Sequence, residues 1–270
     1  MPDARTRPTS RARAHLLLPR EHGTYSELLL PIAAALAVGR PGAASWLLAV
    51  SAVAGYFAHE GYAVLSGLRG VRAQREDRVS AAWSLGWFGG VALLAGVAGL
   101  AVAPWTARTA VGVALVLSHV MLAIEGVGRE RSIGGEFGVG VSLAAWGAPV
   151  ALAGSVALTP TLVLWAIWSW LFTTGTLAVR CVIARTKGRP LAALQVTTIA
   201  IAAAGAVLLV SSAVSGGLSW LVGVAVAPHL MLTALLAGTP VHAPQLRRVG
   251  WLLVGSDLLA LLLLVPGLRG

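Results

Sequence analysis

Apolar runs of about 17 to 25 residues, the length that crosses a bilayer as a helix, follow one another from Gly23 to the end of the chain with short polar breaks between them. Their pattern predicts helices over 23–39, 44–66, 82–103, 107–126, 134–154, 160–184, 192–212, 217–237 and 249–266. The first run is short and contains Pro31, so it is expected to be a bent or broken segment. The third carries Gly86, Gly89, Gly90, Gly96 and Gly99, small residues of the kind that let membrane helices approach closely.

Composition then fixes the class. Of 270 residues, 57% are apolar and 11% charged, where a globular domain holds about 25% charged residues; the mean hydropathy is +0.81. A water-soluble fold has no interior large enough for that much apolar surface. The expected fold is therefore all-α, a polytopic membrane bundle of about nine transmembrane helices. It divides into a basic cytoplasmic arm over 1–20 and one transmembrane domain over 21–270. With one cysteine, Cys181, neither an intrachain disulfide nor a cysteine zinc site can form.

The net charge of +10 could indicate nucleic acid, but its distribution argues for topology instead. With the N-terminus inside, the inner segments collect Arg5, Arg7, Arg11, Arg13, Arg20, Arg69, Arg72, Arg75, Arg78, Arg129, Arg131, Arg180, Arg185, Lys187, Arg189, Arg247 and Arg248, leaving Arg40, Arg108 and Arg269 outside. Nine spans with the C-terminus outside thus satisfy the positive-inside rule. Membrane lipids, not nucleic acid, are the expected partners, and nothing in the sequence fixes an oligomeric state.

Ionisable side chains inside the spans carry the functional signal, because each is costly in hydrocarbon unless it faces a partner or a polar cavity. The candidates are Arg20, Glu21, His22 and Glu27 at the first helix; Tyr56, His59 and Glu60, which share a face of the second; His119 and Glu125; Glu136; and Thr176 with Arg180. Nearly all fall in the inner halves of their helices, which predicts one inward-facing polar pocket. Arg72, Arg75, Arg185 and Lys187, in the loops above it, are candidate contacts for a phosphate or lipid headgroup. His229 and Asp257 are two further intramembrane ionisable residues.

The opening LPREHGTYSELLLPIAAALAVG (18–39) resembles the start of the YwiC-like bacterial membrane proteins, and FTTGTLAVRCVIARTKG (172–188) is similar to that family's helix ending in a basic run. Thr24 and Tyr25 stand where the family usually has Ala-Trp. The resemblance implies a multi-pass protein of the bacterial cytoplasmic membrane and no particular activity. More distantly, GGEFGVGVSLAAWGAPVALAG (134–154) resembles the fifth helix of UbiA-type intramembrane prenyltransferases, which implies a nine-helix bundle with a cavity under its cytoplasmic loops. Those enzymes hold magnesium and an allylic diphosphate on two Asp-rich motifs. Here the first region offers Glu60, Glu76 and Asp77, while no acid occurs between Thr173 and Pro190.

Three functions follow as expectations. The first is the binding or handling of an isoprenoid, a quinone or an anionic lipid, without Asp-rich prenyl transfer. The second is a divergent magnesium-dependent prenyltransferase in which Glu60, Glu76 and Asp77 gather the metal. The third is a metal, haem or proton-handling protein using His22, His59, His119 and His229. No cofactor follows from the sequence under the first.

Overall fold

A computed structural model describes residues 15–19, 22–128, 132–240 and 246–269, and of His22 the backbone alone. Eleven helices follow one another: α1 (His22–Val38), α2 (Ala43–Leu65), α3 (Val71–Glu76), α4 (Arg78–Val102), α5 (Trp105–Gly126), α6 (Ile133–Ala145), α7 (Gly147–Ala153), α8 (Leu158–Thr186), α9 (Ala192–Val214), α10 (Trp220–Gly238) and α11 (Leu246–Arg269). No strand occurs among the described residues. Each predicted run is matched by a helix, or by the α6–α7 pair. The clearest excess is at charged ends, where helices extend over Arg78, Arg185 and Arg247 because backbone hydrogen bonding continues past the apolar window.

Seven segments are long and apolar enough to cross a membrane: α4, α5, Ile133–Ala153, α8, α9, α10 and α11. With 17 residues, α1 is shorter, and the 23 residues of α2 are diluted by serines, Tyr56, His59 and Glu60. Contrary to expectation, α1 runs unbroken through Pro31. A proline removes one backbone donor, and packing on α6, α7, α8 and α11 holds the helix together despite that loss.

The tightest pair is α2 against α4, and its closeness depends on missing side chains. A Cβ on Gly61 would stand 2.6 Å from the Ala81 carbonyl oxygen, and one on Gly99 3.0 Å from Leu48. Ser51 adds a hydrogen bond across the seam to the Ala92 carbonyl, 2.8 Å. Gly96 and Gly99 therefore serve the packing expected of the third run, whereas Gly86 and Gly90 face open space.

Trp168, Leu171, Leu28, Leu48 and Val150 fill the centre, and much of the remaining apolar surface points outward. Only Thr198 and Ala213 of α9 are buried, while Leu93, Leu94, Val207, Leu208, Met231 and Leu262 are exposed, as a lipid-facing surface requires. Most of the basic arm, 1–14 and Arg20, lies outside the described residues. Its end is not free in solvent: the backbone N–H of His15 donates to Ser80 Oγ at 3.3 Å and that of Leu17 to Ser84 Oγ at 2.7 Å, laying 15–19 along α4.

Candidate functional site

The ionisable side chains are distributed over two cavities rather than one pocket. The smaller, about 500 Å³, lies between α1, α2, α4, α5 and α6; the larger, about 750 Å³, lies between α1, α6, α8, α9, α10 and α11. Thr24 and Val139 line both, so α1 and α6 form the wall between them.

At the small cavity, α2 presents Tyr56 and His59 one turn apart, and α5 brings Glu125 opposite. His59 Nε2 lies 2.9 Å from Glu125 Oε2. Glu60, on the neighbouring flank of α2, is 5% exposed and accepts from Arg69 Nη2 at 2.7 Å and from its Nε at 3.2 Å. Arg69 also reaches toward Glu125, with Nη1 3.9 Å from Oε1. The result is a chain of alternating charge from Glu60 through Arg69 and Glu125 to His59.

Arg69 was legible only as a topology residue, since nothing about a nine-residue separation brings it back to Glu60. The local signal is the turn Gly67-Leu68-Arg69-Gly70. Both glycines adopt positive φ, 82° and 89°, which L side chains rarely take, and the reversal folds Arg69 over the helix end. Gln74 of α3 donates to the Leu65 carbonyl at 2.7 Å and fastens the turn.

Aromatic contacts flank this cavity. Tyr25 meets Tyr56, which lines it, edge-on with ring centroids 5.7 Å apart, and its hydroxyl donates to the Pro19 carbonyl at 2.7 Å. Thr24 and Tyr56 share a hydrogen bond through their hydroxyls. Elsewhere in the lining, Trp146 Nε1 donates to Ser118 Oγ at 3.2 Å.

In the large cavity, Arg180 Nε donates to Glu136 Oε2 at 2.6 Å, with Thr176 one turn earlier on α8 and Glu27 on the α1 wall. Lys187 and Arg189, both exposed, stand on its rim. His229 and Asp257 also line it, 1% and 4% exposed, with Nδ1 and Oδ1 2.6 Å apart. Asp257 Oδ1 accepts no hydrogen bond in that contact. Ser256 Oγ lies 3.2 Å from Nδ1 and Thr174 Oγ1 3.4 Å from Nε2. Both hydroxyls also lie within hydrogen-bonding distance of backbone carbonyls; when they donate there, both ring nitrogens face acceptors.

Several predicted residues lie elsewhere. His119 is exposed on the outer face of α5 and bonds to its own helix at the Leu115 carbonyl, 2.7 Å; the helical turn that aims Glu125 inward aims His119 out. Arg72 pairs with Glu76 at 2.9 Å on the exposed face of α3, and neither it nor Arg75 lines a cavity. Arg185 is spent on the C-terminal carbonyls of α10, donating to Leu236 at 3.4 Å, Ala237 at 2.6 Å and Thr239, where a cation complements the helix dipole. Arg20 and Glu21 lie outside the described residues, as does the side chain of His22. Among the described residues no three His, Cys, Asp or Glu side chains converge, so Glu60, Glu76 and Asp77 form no joint cluster. His59, His119 and His229 are likewise dispersed.

The sequence model of the family described as YwiC-like protein matches residues 18–152, half of the chain. The chain belongs to the YwiC-like family. No curated protein and no solved structure matches it. Every residue lining the small cavity, from Pro19 to Trp146, falls inside the YwiC-like segment, whereas the large cavity takes much of its lining from 171–257, beyond it. Thr24 and Tyr25, near the start of the matched segment, hydrogen-bond to the Tyr56 hydroxyl and the Pro19 carbonyl, and Thr24, Tyr56 and Pro19 line the small cavity. Family membership and the apolar helices together make this a multi-pass membrane protein.

Proposed function

We propose that the protein binds an amphiphile, an isoprenoid, a quinone or an anionic lipid, in the large cavity, and that α1 and α2 join the seven apolar segments as crossings of a nine-span, UbiA-like bundle in the bacterial cytoplasmic membrane. The observation that carries the reading is a basic rim on an apolar chamber. Arg180, Lys187 and Arg189 stand at the end nearest the loop after α8, and Leu171, Phe172, Val179, Ile183, Leu253 and Val254 furnish the walls. About 750 Å³ is within the range that encloses a small organic ligand. An anionic head is matched by the guanidinium and ammonium groups, and a hydrocarbon body by the walls.

The positive-inside distribution puts that rim, and the small cavity's ionic end, on the cytoplasmic side. Two acids of this cavity are paired, Glu136 with Arg180 and Asp257 with His229, and the exposed Lys187 and Arg189 stand on its rim. The reading involves no prenyl transfer.

Lipid extracted from the protein purified in native nanodiscs should be enriched in one such amphiphile over the surrounding membrane, and the double variant Lys187→Ala/Arg189→Ala should lose that enrichment. An extract with the composition of the bulk membrane would overturn the reading.

A further inference from the structure

We propose that the small cavity is a lateral binding site for the hydrocarbon chain of a bilayer phospholipid, which enters from the membrane between α4 and α5 while its headgroup stays outside. The placement of these two helices opens the way. Joined at 103–104, they part to different neighbours, α4 packing on α2 and α5 on α6 and α7. Arg108 ties their ends together at the turn, donating to the Ala103 carbonyl at 3.0 Å and to the Ala101 carbonyl at 3.3 Å. Further along, Leu93 of α4 and Leu115 of α5 line the cavity and are at the same time 66% and 42% exposed. Both stand close to the midpoints of helices that are long and apolar enough to cross a membrane. The cavity therefore reaches the surface of the bundle at the depth of the acyl chains.

The lining suits a chain and not a head. Its hydroxyls and indole are engaged within the protein: Ser51 donates to Ala92, Ser142 to Val139, and Ser118 to Ala114 while accepting from Trp146. Thr24 is bonded to Tyr56, and His59 to Glu125. The formal charges of the lining, Arg69 and Glu125, cancel, so an entering head of either sign meets no net charge. A headgroup drawn inside also loses its water. A chain exchanges one apolar surrounding for another, and it restores the contacts that the walls forfeit across a gap. An apolar chamber of this kind excludes water and accepts an apolar guest.

Leu28 of α1, Ala52 of α2 and Ser142 of α6 line the cavity yet are 1%, 5% and 4% exposed. They stand on the walls away from the gap between α4 and α5, out of reach of lipid that only coats the bundle. A chain inside the cavity touches them, and this separates occupation of the site from ordinary solvation by the bilayer.

The test is photocrosslinking of the full chain in nanodiscs, using phosphatidylcholine and phosphatidylglycerol that each carry a diazirine in mid-chain, with the adducts mapped by peptide mass spectrometry. Adducts are expected at Leu28, Ala52 and Ser142 with both headgroups. Val207 and Leu208 of α9, exposed on the bundle surface, serve as the control for lipid at the surface. In Gly55→Leu the interior adducts should be lost and those on α9 kept. Gly55 lines the cavity, and a Cβ built on it stands an ordinary 4.0 Å from Ala92 Cβ, so the longer side chain has room to grow into the space the lipid chain takes. Adducts confined to exposed positions would overturn the proposal, as would interior adducts undiminished in Gly55→Leu. Interior adducts from one phospholipid alone would show that the head is what is recognised, and would overturn it as well. Labelling of the unaltered protein decides the matter even if the variant does not fold.

Discussion

The two cavities share a wall and little else. The small one is enclosed within the YwiC-like segment, and its ionic end is a continuous chain from Glu60 through Arg69 and Glu125 to His59. The large one takes α8, α10 and α11 from beyond that segment, holds Glu27 besides the pairs Glu136–Arg180 and His229–Asp257, and carries exposed cations on its rim. Pooled together, the intramembrane acids, imidazoles and guanidinium read as a single polar pocket. Divided by α1 and α6, they fall into two groups, His59, Arg69 and Glu125 at the small cavity and Glu27, Glu136, Arg180, His229 and Asp257 at the large one.

The acids of the pairs Glu60–Arg69 and Glu136–Arg180 differ in burial, 6% against 37% exposed in their side chains, and substitutions can sharpen or break that contrast. Arg69→Met leaves Glu60, 6% exposed in its side chain, without its counter-ion. The expected loss is about 3 kcal/mol, the lower end for breaking a buried pair because the guanidinium itself is 28% exposed. A thermal unfolding midpoint in detergent within a degree of the unaltered protein would show that the pair is not a structural element of the small cavity.

Next in size is Gly61→Ala, which drives a methyl into the Ala81 carbonyl at the α2–α4 seam and is expected to cost about 2 kcal/mol. Gly86→Ala, with nothing near it, should be neutral or slightly stabilising. If the same unfolding measurement ranked the two alike, the small cavity's back wall would not depend on close approach.

Trp146→Phe keeps an aromatic ring but removes the pyrrole half of the indole with its donor to Ser118; a loss of about 1 kcal/mol is expected for the hydrogen bond, read as the change in denaturant midpoint. The smallest effect belongs to the large cavity: Glu136→Gln, at a side chain 37% exposed, should cost less than about 1 kcal/mol, since solvent already screens the pair with Arg180. A cost as large as that of Arg69→Met would erase the contrast in burial.

The hydrophobic pattern located the helices because span length and backbone hydrogen bonding are local: a window of apolar residues must be helical in hydrocarbon wherever it sits. The asymmetric arginines likewise require no knowledge of packing. The short α3 was not legible, being a single polar turn held by Gln74 on the end of α2.

Side-chain pairing was legible only in part. Tyr56, His59 and Glu60 do share a stretch of α2, yet Glu60 turns to Arg69 while its neighbour turns to Glu125, a choice made by the rotation of α2 about its axis. His119 and Arg185 belong to the same apolar-to-basic pattern as Glu125 and Arg180, and one points outward while the other caps α10. Sequence alone determined an all-helical membrane protein, the positions of its apolar runs and the family of its first half, because those rest on length, composition and motif. Tertiary structure decided how the charges divide between the two cavities and which of them meet in each, because an ion pair forms only where two elements, placed by contacts far along the chain, bring its partners within a few ångströms.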